Sequence, residues 1–77
     1  MNNELIISFP AKIQNVQLSR TLLLGFLVDL DLPLTLINEL KTALSEAVTN
    51  AIVHGYNSDE KKMVDLRLAY DDDTIYM

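Results

Sequence analysis

The stretch SEAVTNAIVHGY, Ser45 to Tyr56, decides how this chain is read. It sets a carboxylate at Glu46, an amide at Asn50 and an imidazole at His54 into a segment otherwise rich in alanine and branched aliphatics. The spacing is four and four, so on an α-helix all three side chains share one stripe. The stripe stops at Gly55, a residue with which helices commonly end.

Outward from that stretch, apolar residues recur with helical period. Ile37, Leu40, Leu44, Val48, Ala51 and Ile52 form one arc, with Ala43 and Ala47 at its edge, and predict a helix from about Leu34 to His54. At about 100° per residue, Glu46 points nearly opposite Ile37, and Asn50 and His54 move back toward the core edge. Pro33 disfavours helix at Leu32, so Asp29–Pro33 reads as a turn. Before it a first helix runs from about Gln14 to Leu30, with Val16, Leu23, Leu27 and Leu30 on one face, widened by Leu22 and Phe26. Leu18, Leu24 and Val28 fall well outside that face. A helix apolar nearly all round is expected to be buried on more than one side. Gly25 in its middle costs about 1 kcal/mol relative to alanine, which fits a place where another backbone comes close.

Strands flank the helices. ELIISF (Glu4–Phe9) is rich in β-branched and aromatic residues and ends at Pro10. MVDLRLAY (Met63–Tyr70) alternates Val64, Leu66 and Leu68 against Asp65 and Arg67, the pattern of a strand with one wet face. GYNSDEKK reads as a loop and Asp71–Asp73 as a hairpin turn, after which TIYM starts a further strand that looks cut off. Strand, helix, helix, strand, strand predicts an α/β sandwich of the α+β kind, with two helices packed on one face of a mixed sheet.

Bulk properties bound the function. Seventy-seven residues make a single small domain, whose core is worth about 3–5 kcal/mol without staples. There is no cysteine for a disulfide or a thiolate metal site. A hydrophobic fraction of 49% with two Gly and two Pro excludes disorder and is high for so short a chain. The excess points to surface meant for a partner subunit, or for parts of a domain outside residues 1–77. The net charge of −5 and the scattered six basic residues disfavour nucleic-acid binding. MNNELIISFP lacks the positive region of a signal peptide, and TLLLGFLVDL is broken by Asp29 and too short to span a bilayer. These features predict a cytoplasmic protein with no membrane contact.

The stripe narrows the chemistry. A single His with no Cys makes a structural zinc site improbable. Ser45 and His54 lie nine positions apart on one rigid helix and cannot meet in a nucleophilic triad. On periodicity alone Glu46 is a solvated helix residue, and Thr49 and Ser45 are surface. Asn50 is harder to dismiss, since Asn competes for backbone hydrogen bonds mid-helix. His54 in the last turn can cap carbonyls and favour the helix dipole. Glu46 and Asn50 together suit a hard cation and a proton. An Asn oxygen can ligate Mg²⁺ beside phosphate oxygens, and a carboxylate one turn away can orient or deprotonate an attacking hydroxyl.

The pattern E-x-V-x-N-A-I-x-H-G-Y resembles the N box of the gyrase, chaperone and histidine-kinase type ATPases, the Bergerat fold. More narrowly, it resembles the anti-sigma-factor serine kinases of spore-forming bacteria. The likeness runs over the whole chain: NE near the start, Gln14–Asn15, Arg20 in the first helix, ELKTALSEAVTNAIVHGY in the second, and an acidic turn before IYM. The resemblance implies that Glu46 is the general base and that Asn50 is the Mg²⁺ ligand holding the ATP phosphates. It places Thr49 and His54 beside the phosphates, as further cofactor-binding residues. It makes Arg20 the residue that engages sigma factor and anti-anti-sigma factor. It also implies a homodimer, ATP/ADP and Mg²⁺ as cofactors, and serine phosphorylation of the anti-anti-sigma antagonist.

The Bergerat fold also uses an Asp-x-Gly-x-Gly segment to read adenine and a glycine-rich lid over the phosphates. Neither occurs in residues 1–77, whose glycines are Gly25 and Gly55. The expectation is therefore the N-terminal portion of a single ATPase/kinase domain, inactive alone and carrying half of a site. The alternatives are the ATPase domain of a related stress-response anti-sigma kinase or histidine kinase, and a non-catalytic interaction module.

Overall fold

The computed structural model describes residues 2–57, 59–72 and 74–77. Its elements are β1 (Asn3–Pro10), α1 (Gln14–Leu27) followed by a 3₁₀ turn (Val28–Leu30), and α2 (Leu34–Asn50) followed by a π turn (Ala51–Gly55). β2 (Met63–Tyr70) and β3 (Ile75–Tyr76) complete the chain. The strands pair in the order β1-β2-β3, antiparallel at both junctions. The two helices pack on one face of this sheet, the α+β arrangement that the order of elements predicts. The pairings themselves are antiparallel, so the parallel component of a mixed sheet is not found among the described residues.

The β1–β2 register explains the alternation. Leu5 faces Leu68, Ile7 faces Leu66 and Phe9 faces Val64, while Glu4, Ile6 and Ser8 face Ala69, Arg67 and Asp65. The first set points at the helices and is buried or half-buried; Val64, Leu66 and Leu68 are all in the core. On the outer face Arg67 reaches Glu4 at 2.6 Å, and Ser8 donates to Asp65. Both ion-pair partners are about half exposed, so the pair adds little stability.

The core forms where the helical arcs meet that inner sheet face. Val16, Leu23 and Leu27 from α1, Leu44 and Val48 from α2 and Ile52 from the π turn pack with Phe9, Val64, Leu66, Leu68 and Tyr70. Phe26 meets Tyr70 edge to face at 5.1 Å, an arrangement aromatic quadrupoles favour. Ser19 is fully buried among these residues and donates to the Val16 carbonyl at 2.7 Å, which satisfies its hydroxyl.

Three local expectations change. Leu18, Leu24 and Val28 stay exposed, at 45%, 40% and 71%, so α1 is buried on one side only within this chain. A Cβ added at Gly25 would meet nothing within 4 Å, so no backbone approaches it here. The left-handed residues are not glycines: Asp31 (φ 53°) ends the 3₁₀ turn before Pro33, and Asn57 (φ 51°) follows the π turn. Asp and Asn tolerate this region better than other side chains. Gly55 therefore lies inside the last helical turn and Asn57 makes the reversal. Residues Ser58 in the expected loop and Asp73 in the expected hairpin turn lie outside the described residues. Around the latter, Asp71 and Thr74 exchange backbone and side-chain hydrogen bonds at 2.8–2.9 Å.

Candidate functional site

α2 positions the site because its apolar arc decides which of its faces turns to the core. Leu44 and Val48 point into the core, at 1% and 2% exposure, which turns Glu46 and Asn50 outward. Both are exposed, and neither side chain makes a hydrogen bond or ion pair among the described residues. Thr49 is half-buried beside them.

His54 lies past the end of the regular helix, in the π turn. α2 gives way at Ala51 to a π turn, and the Ala51 N–H is shared between the Ala47 and Val48 carbonyls. In a π turn the ladder runs i→i+5, so each residue advances less around the axis. The regular spacing of about 100° per residue therefore does not carry through from Asn50 to His54. Its side chain is exposed and caps no carbonyl among the described residues. π turns recur at functional sites, and nothing in the letters AIVHG announces one.

Arg20 is the second surprise of placement. It projects from α1 across the helix seam, and its Nε donates to the Ser45 hydroxyl at 2.5 Å. Ser45 in turn donates to the Lys41 carbonyl at 2.7 Å. An open groove between the helices is lined by Arg20, Asn38, Lys41, Thr42, Ser45 and Glu46. Arg20 and Glu46, picked out separately in the sequence, thus share one groove. Asn50, Thr49 and His54 lie beyond it toward the helix end. Ser45, read as surface, is half-buried and engaged. Its signal was a serine in mid-helix, where a hydroxyl is unfavourable unless something uses it.

Glu46 and Asn50 carry oxygen donors of the type that Mg²⁺ accepts. The Asn50 amide and the Glu46 carboxylate are hard oxygen donors without internal partners. No group of three or more His, Cys, Asp or Glu that could hold a metal exists among the described residues. An ion here would lean on phosphate and water oxygens as well as on protein, the usual habit of Mg²⁺ and not of zinc.

Residues 9–77 match the family described as Histidine kinase-like ATPase domain. The chain is 40% identical over 75 residues to "Anti-sigma F factor" of Lysinibacillus sphaericus, covering 97% of this chain and 51% of that protein. It is 36% identical over 77 residues to the protein of that name from Geobacillus kaustophilus, covering 100% of this chain and 53% of that protein. For the protein of that name from Clostridium perfringens strain 13 the figures are 40% over 75 residues, 97% and 54%. The chain spans about half the length of the curated relatives it matches. With the family match running from Phe9 to Met77, this chain belongs to the histidine kinase-like ATPase domain family.

Proposed function

We propose that this chain is the N-terminal portion of an anti-sigma factor that is also a serine kinase. In this reading the protein sequesters a sporulation sigma factor in the cytosol and phosphorylates its anti-anti-sigma antagonist on serine with Mg·ATP. The observation that carries it is the unengaged pair Glu46 and Asn50, one turn apart on the outward face of α2, in a chain 36–40% identical to anti-sigma F factors.

The roles follow from chemistry. Asn50 presents a neutral oxygen that holds a magnesium ion without adding charge repulsion against phosphates. Glu46 accepts the proton of the serine hydroxyl as it attacks. Thr49 and His54 border the phosphates, and Arg20 receives the protein partner at the mouth of the groove. Bound Mg²⁺ neutralises charge on the transferring phosphoryl group. The exposed Leu18, Leu24 and Val28 supply apolar surface for a homodimer.

The test is phosphoryl transfer by the full-length protein to the anti-anti-sigma protein encoded in the same organism. Serine phosphorylation that requires Mg·ATP supports the kinase. Sigma-factor binding without any transfer makes the protein a non-catalytic interaction module.

A further inference from the structure

We propose that Ser45 is a positioning residue for Glu46, held by Arg20 across the α1–α2 seam; this rests on the kinase reading above. Three observations carry it. The Ser45 hydroxyl is used in both directions, accepting from Arg20 Nε at 2.5 Å and donating to the Lys41 carbonyl at 2.7 Å. It precedes Glu46 directly, and both residues line the groove that Arg20 enters. The core packing between the helices runs through Leu23, Leu27, Leu44 and Val48, and the buried Ser19 bonds within α1.

Apolar contact is non-directional. It sets how closely two helices approach and leaves small rotations and slides cheap. A hydrogen bond has a preferred angle as well as a length. The Arg20–Ser45 bond joins positions 25 residues apart in the chain. It therefore fixes the rotation of α2 against α1 at the turn that carries Glu46. The guanidinium is itself steadied by the Gln17 side chain at 3.3 Å. A serine at this place is unfavourable for the helix by itself, since Ser competes for backbone groups mid-helix. Alanine would be the better helix former. Back-bonding to the Lys41 carbonyl accounts for the hydroxyl's proton, and a role in aiming Glu46 accounts for the bond its oxygen accepts from Arg20. A misplaced general base costs rate steeply, because transfer depends on the geometry of the attacking hydroxyl.

The experiment is single-turnover transfer by the full-length protein at saturating Mg·ATP and saturating anti-anti-sigma protein. Ser45→Ala should slow transfer on the order of tenfold and leave Mg·ATP affinity unchanged. Ser45→Thr, which keeps the hydroxyl, should restore most of the rate. Arg20→Ala should slow the saturated rate similarly, and the double variant should be no slower than either single one. Arg20→Met keeps the aliphatic stem, removes every donor without touching α2, and reads the same bond should Ser45→Ala fail to fold. Multiplicative slowing in the double variant overturns the proposal. So does a wild-type rate in Ser45→Ala or, where that variant does not fold, in Arg20→Met, when Glu46→Gln is slow. Absence of transfer in the wild-type protein removes the kinase reading, and this one with it.

Discussion

Glu46 and Asn50 stand one α-helical turn apart at the end of α2, both exposed, and the helix widens to a π turn at the very next residue. The pair thus sits on the last regular turn, with its backbone fixed by Leu44 and Val48 below. Two residues so alike in placement are assigned different work, and their variants should separate.

In the full-length protein, Glu46→Gln should leave nucleotide affinity near wild type and slow phosphoryl transfer by roughly 10²–10⁴, the usual worth of a positioned base. Asn50→Ala should instead lose Mg·ATP binding, because the phosphates depend on the ion for neutralisation. Nucleotide titration and single-turnover transfer measure the two effects. Unchanged kinetics in Glu46→Gln would return that residue to an ordinary solvated face.

Residues 1–77 alone should bind Mg·ATP very weakly or not at all. The chain holds no Asp-x-Gly-x-Gly segment to read adenine, and the groove beside Glu46 is open. Calorimetry with Mg·ATP checks this. A micromolar dissociation constant would show that these residues build a complete site.

Gly25 offers a sharp test of the α1 surface. Its added Cβ meets nothing in this chain, so Gly25→Ala in a monomer should stabilise by about 0.4–1 kcal/mol. Urea unfolding gives the sign. Stabilisation joined to weakened self-association would place a partner backbone at Gly25.

Leu18, Leu24 and Val28 predict self-association, since such residues left exposed on a small domain favour contact. Sedimentation at micromolar concentration should show a dimer or larger species, and Val28→Glu with Leu24→Lys should yield monomer. A monomer for the unaltered chain at high concentration counts against the apolar surface as an interface.

Ile52 is fully buried and Leu34 is 71% exposed. Ile52→Ala should cost about 2–5 kcal/mol, comparable to the whole stability of a core this size, and Leu34→Ala should stay within about 0.5 kcal/mol. Thermal melts followed by circular dichroism distinguish them. Equal melting of the two variants would disprove the packing of the π turn against the sheet.

The local elements were legible in the sequence because their signals are local. Alternation in MVDLRLAY predicted both the strand and its wet face, and the arc through Leu44, Val48 and Ile52 predicted the buried side of the second helix. Pro33 marked the break between helices, and Glu46 was correctly turned to solvent by period alone. The tertiary structure decided what depends on neighbours distant in the chain or on backbone hydrogen-bond choice. The Arg20–Ser45 bond joins positions on two helices that only the shared core brings side by side, so neither residue type reveals it. The π turn at Ala51–Gly55 is a choice of backbone hydrogen bonding that no side chain dictates, and the regular spacing of about 100° does not carry through it to His54. Glycine marked the end of the helix in the sequence, yet the left-handed turn falls on Asn57. A side chain that tolerates positive φ permits such a reversal, and the path to β2 determines where it is made.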